Sequence, residues 1–291
     1  MAKDQQAVFI TGASRGFGAA AARELAERGH LVVASMRNPE RDGAEVARGF
    51  ADQIAVTRCD VTDRASVDAA VADALQQYGR IDALFNNAGY GLYGPVEELT
   101  EDEIFRQIDT NFVGQIRVAQ AILPTMRKQG RGKIINVSSL AGRIAGPLMG
   151  LYSASKFAVE AMSEALRYEV TRWGVDVTIL EPGMYRSDWQ VASLDLTQAM
   201  REGRSLYQAS ADVALAEFRK RAATRPGSRT VATSVADIVE LQQRLPMRWP
   251  VGEDTLQMID LRNRLTDAQW EAQILGEGGR IEDLMPVLSV R

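Results

Sequence analysis

Ala7-Val-Phe-Ile-Thr11-Gly12-Ala-Ser-Arg-Gly16-Phe-Gly18 is the stretch that decides the fold of this 291-residue chain. Its apolar first half stops at glycine, as a buried strand does. Alanine-rich residues 19–28 then read as a helix. Glycines between a strand and a helix let the backbone turn tightly and approach a pyrophosphate, whose charge sits on free N–H groups at the helix N-terminus. The spacing Gly-x-x-x-Gly-x-Gly departs from the common Gly-x-Gly-x-x-Gly, and a glycine cluster alone is also what a tight turn needs. Its place between a strand and a helix favours a dinucleotide.

Outward from this loop the same alternation repeats. Residues 31–35, 54–60, 83–87, 133–138 and 176–181 are short apolar runs that read as strands. Helices are expected over 41–50, over 64–78, where Val67, Val71 and Leu75 share a face, over 101–129 with Pro124 bending it, and over 152–173. Strands alternating with helices at this pitch predict an α/β, Rossmann-like, doubly wound parallel sheet. No linker breaks the pattern before about residue 183, so residues 1–291 read as one domain. About 7–190 would form the cofactor and catalytic core, and about 184–291 a substrate lid and C-terminal extension. In that extension, 195–219 is the candidate lid. Residues 223–230 read as a loop, 236–245 and 255–265 as helices, and 248–252 as a turn with a short edge strand.

Composition removes whole classes of chemistry. A net charge of −4 offers no basic field for nucleic acid. One cysteine, Cys59, excludes an internal disulfide and thiolate zinc clusters, and one histidine, His30, excludes a multi-histidine metal site. No apolar run approaches the ~20 residues of a membrane span, and the N-terminus has no signal-peptide core, so a cytoplasmic protein without a membrane partner is expected.

The residues also favour one dinucleotide. An NAD site usually places an acid at the end of the second strand to hold the ribose 2′-OH. Here the sequence is Ala34-Ser-Met-Arg37-Asn38, without an acid. Arg37, and Arg15 inside the glycine loop, are guanidinium forks suited to a 2′-phosphate, so NADP(H) is expected over NAD(H).

Tyr152 and Lys156 lie four residues apart, on one face of a helix. A phenol titrates near ~10, and a neighbouring ammonium favours the phenolate and lowers that value. With the glycine loop, Asn86-Asn87-Ala88-Gly89 and Tyr152-x-x-x-Lys156 in this order, the chain resembles the short-chain dehydrogenase/reductase family over about residues 7–190. It looks most like the branch with 17β-hydroxysteroid and retinol dehydrogenases, where bacterial oxidoreductases of unassigned substrate also fall. The resemblance implies that Thr11, Gly12, Ser14, Arg15, Gly16, Phe17 and Gly18 form the cofactor loop. It implies that Asp60 and Val61 flank the adenine and that Asn87, Ala88 and Gly89 run under the adenosine ribose. Pro182, Gly183 and Ser187, where threonine is more usual, would close over the nicotinamide. By the same likeness Asn111 holds a water in a proton relay, Ser139 polarises the carbonyl, and Tyr152 is the general acid/base. Lys156 would bind the nicotinamide ribose and lower the tyrosine pKa.

The implied activity is hydride transfer between NADP(H) and a carbonyl or secondary alcohol of a medium-sized, mainly apolar small molecule. Tyr90, Leu148, Met149, Met184, Tyr185 and Trp189 are the candidate substrate wall. A homodimer or homotetramer through the two long helices is implied as well. An NAD-dependent oxidative enzyme and a non-catalytic dinucleotide sensor are the competing readings.

Overall fold

The computed structural model describes residues 5–186 and 193–275. Seven parallel strands form the main sheet: β1 (Ala7–Ile10), β2 (Leu31–Met36), β3 (Ile54–Arg58), β4 (Ala83–Asn86), β6 (Gly132–Val137), β7 (Val175–Pro182) and β9 (Arg248–Val251), in the order β3-β2-β1-β4-β6-β7-β9. A separate parallel pair joins β5 (Gly91–Tyr93) to β8 (Leu194–Leu196).

Burial on both faces follows from the strand pleat. Val8 and Ile10 face one core with Val32, Ala34, Ile135 and Val137, while Phe9, Val33 and Ile134 face the other. The first layer is closed by α1 (Gly16–Glu27), α2 (Pro39–Ala47) and α9 (Arg229–Glu240), through Leu25, Val46 and Val235 among others. The second is closed by α3 (Arg64–Tyr78) and α5 (Gly114–Gln129), through Val67, Val71, Val118 and Ile122. Because β1 sits between β2 and β4, the crossovers leave its two sides in opposite directions. A crevice opens there at the carboxyl ends of the strands.

Several boundaries differ from expectation. Residues 101–129 are not one helix: α4 (Glu101–Ile108) and α5 are joined by a π-helical turn over Asp109–Val113. Pro124 lies inside α5 without ending it. The helix α6 (Gly150–Val170) starts two residues early, and a 3₁₀ turn takes Thr171–Trp173. On the C-terminal side the helix expected over 236–245 is instead α9, seven residues earlier, because its apolar stripe Val231, Val235 and Val239 packs on α1 and the sheet. The expected edge strand is β9, a full parallel member beside β7. Residues 194–223, which include the stretch expected to be a lid, hold β8, α7 (Gln198–Arg201) and α8 (Gln208–Ala223). The chain continues through α10 (Glu253–Arg264) and α11 (Asp267–Leu275), the latter absent from the sequence expectation.

Candidate active site

A cavity of about 920 Å³ lies at the carboxyl edge of the sheet. Its floor at one end is the glycine loop. Gly12 and Gly16 adopt positive φ, and a Cβ on Gly12 would stand 2.9 Å from Ala88 Cα. A Cβ on Gly18 would stand 2.4 Å from the Gly12 carbonyl and 2.8 Å from Asn87 Nδ2. These cradles exist only because no side chain fills them. The N-terminus of α1 has no side-chain cap, so its amides face the crevice. Gly12, Ser14, Arg15, Gly16 and Phe17 line the cavity, with Arg37, Asp60, Val61, Asn87, Ala88 and Gly89 around it. This donor set fits a dinucleotide: free amides and two guanidiniums for phosphates, and an apolar slot between Met36 and Val61. Gly18→Ala is expected to weaken dinucleotide binding by about 5- to 150-fold, since forcing a methyl into a backbone carbonyl costs about 1–3 kcal/mol. A fluorescence titration with reduced cofactor checks this.

Two residues of the cofactor set stand behind the cavity wall. Thr11 ties the loops together: its hydroxyl accepts from the amides of Asn87 and Ala88, both at 2.9 Å. Gly18 supplies the close packing just described. Asp60 accepts from the Thr62 amide and hydroxyl at 3.0 and 2.7 Å. These bonds hold its carboxyl below the usual range despite burial, which opposes them as the largest single influence.

The other end of the cavity carries the acid/base groups. Tyr152 and Lys156 sit on one face of α6, with the ammonium 5.7 Å from the phenol ring centre. Lys156 is buried and donates to the Val137 carbonyl at 2.9 Å. Burial pushes its pKa down to about 8, and the charge of Glu160 resists that fall. Burial likewise pushes the Tyr152 phenol up to about 12, while a hydrogen bond with Ser139 draws it part of the way back. In the protein alone desolvation of the phenolate is the largest influence on that value. Ser139 is extended at the head of a short turn, accepting from the Ala141 amide at 3.1 Å.

Asn111 is placed by the π-turn, whose extra residue rotates its side chain inward. Its amide group pairs both ways with the Tyr90 backbone, at 3.0 and 2.8 Å, and donates to the Ser155 hydroxyl at 3.1 Å. Ser155 in turn donates to the Tyr152 carbonyl at 2.6 Å. Gly89 fills the gap between these groups: a Cβ there would meet Asn111 Oδ1 at 3.1 Å and Lys156 Nζ at 3.7 Å.

On the substrate side, Tyr90, Met149, Met184 and Tyr185 line the cavity with Pro182 and Gly183. Leu148 does not: it is buried in a small cluster with Tyr93, Leu194 and Leu215, at a left-handed φ of 61°. The strained backbone there turns the chain so that Met149, one residue on, faces the cavity. Ser187 and Trp189 lie outside the described residues. Sequence reading missed Ser155, Gln107, which donates to the Tyr90 carbonyl, and Phe218, Arg221 and Arg225, which line the cavity. Ser155 had a visible signal, falling one turn after Tyr152 on the inward face; the three C-terminal residues had none. Cys59 also lines the cavity, but burial pushes its thiol up to about 11. Among the described residues no His/Cys/Asp/Glu group could hold a metal, and no helix is long and apolar enough to cross a membrane.

Comparison with known proteins converges on one family. The family model described as short chain dehydrogenase matches residues 6–196. The chain is 43% identical over 182 residues to a 3-ketodihydrosphingosine reductase of Bacteroides thetaiotaomicron, a match spanning 62% of this chain and 65% of that protein. It is 33% identical over 275 residues to an uncharacterized oxidoreductase of Bacillus subtilis, covering 92% and 97%. Among solved structures, a short chain dehydrogenase/reductase from Burkholderia phymatum in complex with NAD superposes with a TM-score of 0.78 at 25% identity, covering 93% and 96%. A metagenomic short-chain oxidoreductase in complex with NADP gives 0.67 at 26% identity, covering 84% and 96%.

Proposed function

The chain belongs to the short-chain dehydrogenase family of oxidoreductases, and we propose that it is an NADP(H)-dependent reductase of ketones, or dehydrogenase of the matching secondary alcohols, with Tyr152 as general acid/base. The observation that carries this reading is the convergence of Ser139, Tyr152, Lys156 and Asn111 at one end of a cavity whose other end is a glycine cradle. A dinucleotide held by the glycine loop, Arg15, Arg37 and Lys156 supplies the hydride when bound. The protein's own groups handle the oxygen and its proton. Ser139 donates a hydrogen bond to the substrate oxygen, and Tyr152 gives up its phenolic proton as charge develops there. A phenol at about 12 in the free protein is a reluctant donor, so ammonium charge beside it is needed to steady the phenolate it leaves. Asn111, Ser155 and the Tyr90 backbone hold the lysine side of the pocket rigid.

The choice of NADP(H) rests on Arg37 and Arg15, which both line the cavity, and on the lack of an acid at the end of β2. Arg37→Ala is expected to raise the KM for NADP(H) about 10–100-fold and leave that for NAD(H) within about threefold, since one charge-assisted phosphate contact contributes about 1.5–3 kcal/mol. Titrating both cofactors against both proteins checks it; a lower KM for NAD(H) in the wild type, unmoved by the substitution, favours the oxidative NAD reading instead.

The substrate is read as medium-sized and mainly apolar, from the wall of Leu140, Ile144, Pro147, Met149, Met184 and Phe218. A panel of ketones graded by chain length and polarity, followed at the reduced-nicotinamide band, tests it. The exposed Phe105 on α4 and Phe157 and Tyr168 on α6 support a homodimer or homotetramer through these helices, and the absence of a membrane-spanning helix among the described residues supports a cytoplasmic site.

A further inference from the structure

Behind Lys156 lies a partly buried ionic cluster that the reaction as described does not use. Glu160 follows Lys156 by one turn of α6, on the same inward face as Tyr152. It is only 6% exposed. Four elements pack around it. From β9, Arg248 donates to Glu160 Oε2 at 3.0 Å, stands 3.4 Å from Glu181, and pairs with Glu164. From β7 comes Glu181, 1% exposed, which is also paired with Arg143 at 2.9 Å. From the end of β6 comes Ser138, whose hydroxyl, like Glu160 Oε1, is buried without a hydrogen bond of normal geometry among the described residues. On α6 itself the charged neighbours are Lys156 and Glu164. The packing is close: a Cβ on Gly142 would stand 2.3 Å from Ser138 Oγ and 3.2 Å from both Glu160 Cγ and the Lys156 carbonyl.

Charge balance shows what the cluster does. Glu160, Glu164 and Glu181 oppose Arg143, Arg248 and Lys156, three against three, with Glu160, Glu181 and Lys156 buried and the other three partly exposed. Burying charges is tolerable only when they are matched. The guanidiniums keep their protons in all accessible conditions, so the only members free to change are the carboxyls and the lysine. Removing the Glu160 charge leaves the group one positive charge in excess. The lysine is then the cation able to relieve it by releasing its proton.

We propose that Glu160 is a positioning residue whose buried carboxylate keeps Lys156 protonated, and so preserves the ammonium on which Tyr152 depends. This rests on the role given to Tyr152 and Lys156 above. Burial, with repulsion from Glu181 adding to it, pushes the Glu160 carboxyl up to about 7, while Ser138 and Arg248 hold it down. As pH rises through neutrality Glu160 gains its charge, and Lys156 is held cationic toward more alkaline pH than burial alone would allow.

The chain has five lysines, so ¹³Cε-lysine labelling gives a spectrum simple enough to titrate, with Lys156→Met identifying its resonance. In the cofactor-free protein, Glu160→Gln is expected to lower the Lys156 midpoint by about one pH unit. Glu160→Asp should keep it within about half a unit of wild type. The wild-type curve itself should carry a second, smaller inflection near neutral pH, which reads the coupling even if a variant does not fold. In steady state the alkaline limb of the pH–rate profile should move down by the same interval in Glu160→Gln. A Lys156 midpoint unchanged within about 0.2 units in Glu160→Gln, or a wild-type curve with one inflection, overturns the proposal while leaving the reductase reading intact. A shifted midpoint in a protein that reduces no carbonyl supports the electrostatic link and overturns the reductase reading instead.

Discussion

Tyr152→Phe is expected to lower kcat/KM for a ketone about 10³-fold while reduced-cofactor affinity changes less than about threefold. The substitution removes one oxygen and leaves the ring packed against Ser139 and Lys156. The cofactor cradle is built at the far end of the cavity, from Gly12, Gly16 and Gly18, and does not sense the hydroxyl. Without it the substrate oxygen retains the Ser139 donor but has no proton to take. General acid catalysis contributes about 10²–10⁴-fold, and no histidine stands nearby to substitute, since the chain's one histidine, His30, is buried against Gln6 and Glu240. Single-turnover kinetics beside fluorescence titration separates the two effects. Activity within tenfold of wild type would remove Tyr152 from the proton step, and a parallel loss of cofactor affinity would mean that the phenol serves binding instead.

Lys156→Met should give the opposite outcomes for activity and stability. The lysine is 3% exposed and its pKa falls to about 8 from an ordinary 10.5. A folded value below the unfolded one means that the charged form disfavours folding. The penalty is full below about pH 8, declines as pH rises through that value, and is gone above the unfolded value. At ~1.4 kcal/mol per unit the gap corresponds to about 3 kcal/mol. Methionine fills a similar volume without a charge. The Val137 carbonyl keeps a second donor, Gln115 Nε2 at 3.1 Å. Urea unfolding should therefore show a gain of at most about 3 kcal/mol at pH 7, reduced by the counter-charge that Glu160 loses, that shrinks toward pH 10, together with loss of turnover. A stability difference that does not vary with pH would show that burial of the ammonium is not its source.

Helix α6 shows why such residues resist reading by pattern alone. Its inward positions include Ser155, Lys156, Glu160, Ser163 and Arg167, so its buried face is polar and carries little hydrophobic periodicity. Each has a partner far along the chain: Ser163 receives from Asn136 at 2.9 Å, and Arg167 donates to the Leu245 carbonyl at 2.5 Å. The Tyr152–Lys156 pair was legible because its spacing is local and its chemistry specific. Glu160 has the same spacing from Lys156, but the groups that define it, Glu181 and Arg248, are contributed by β7 and β9. Asn111 was legible as a residue, whereas the π-turn that aims it was not. Residues 101–129 are helical in character throughout, and one extra residue in one turn leaves no mark in composition.

The C-terminal third illustrates the same limit. Nothing in the Asp195 region of the sequence shows that β8 pairs with β5, that the Thr197 amide donates to the Tyr93 carbonyl at 3.0 Å, or that buried Glu103 accepts from the Gln198 amide at 2.6 Å. Those bonds join segments about a hundred residues apart, where no periodicity reaches.

By itself the sequence determined the alternation of strands and helices, the glycine loop after the first strand and the Tyr152–Lys156 pair, because each is set by steric and hydrogen-bonding rules acting within a few residues. Only the tertiary structure decided that the phenol is desolvated, that Leu148 supports the pocket from behind instead of lining it, and that Glu160, Glu164 and Glu181 meet Arg143 and Arg248 behind the lysine. Those outcomes depend on how much water each group loses and which distant charges replace it, and both are properties of the packed chain.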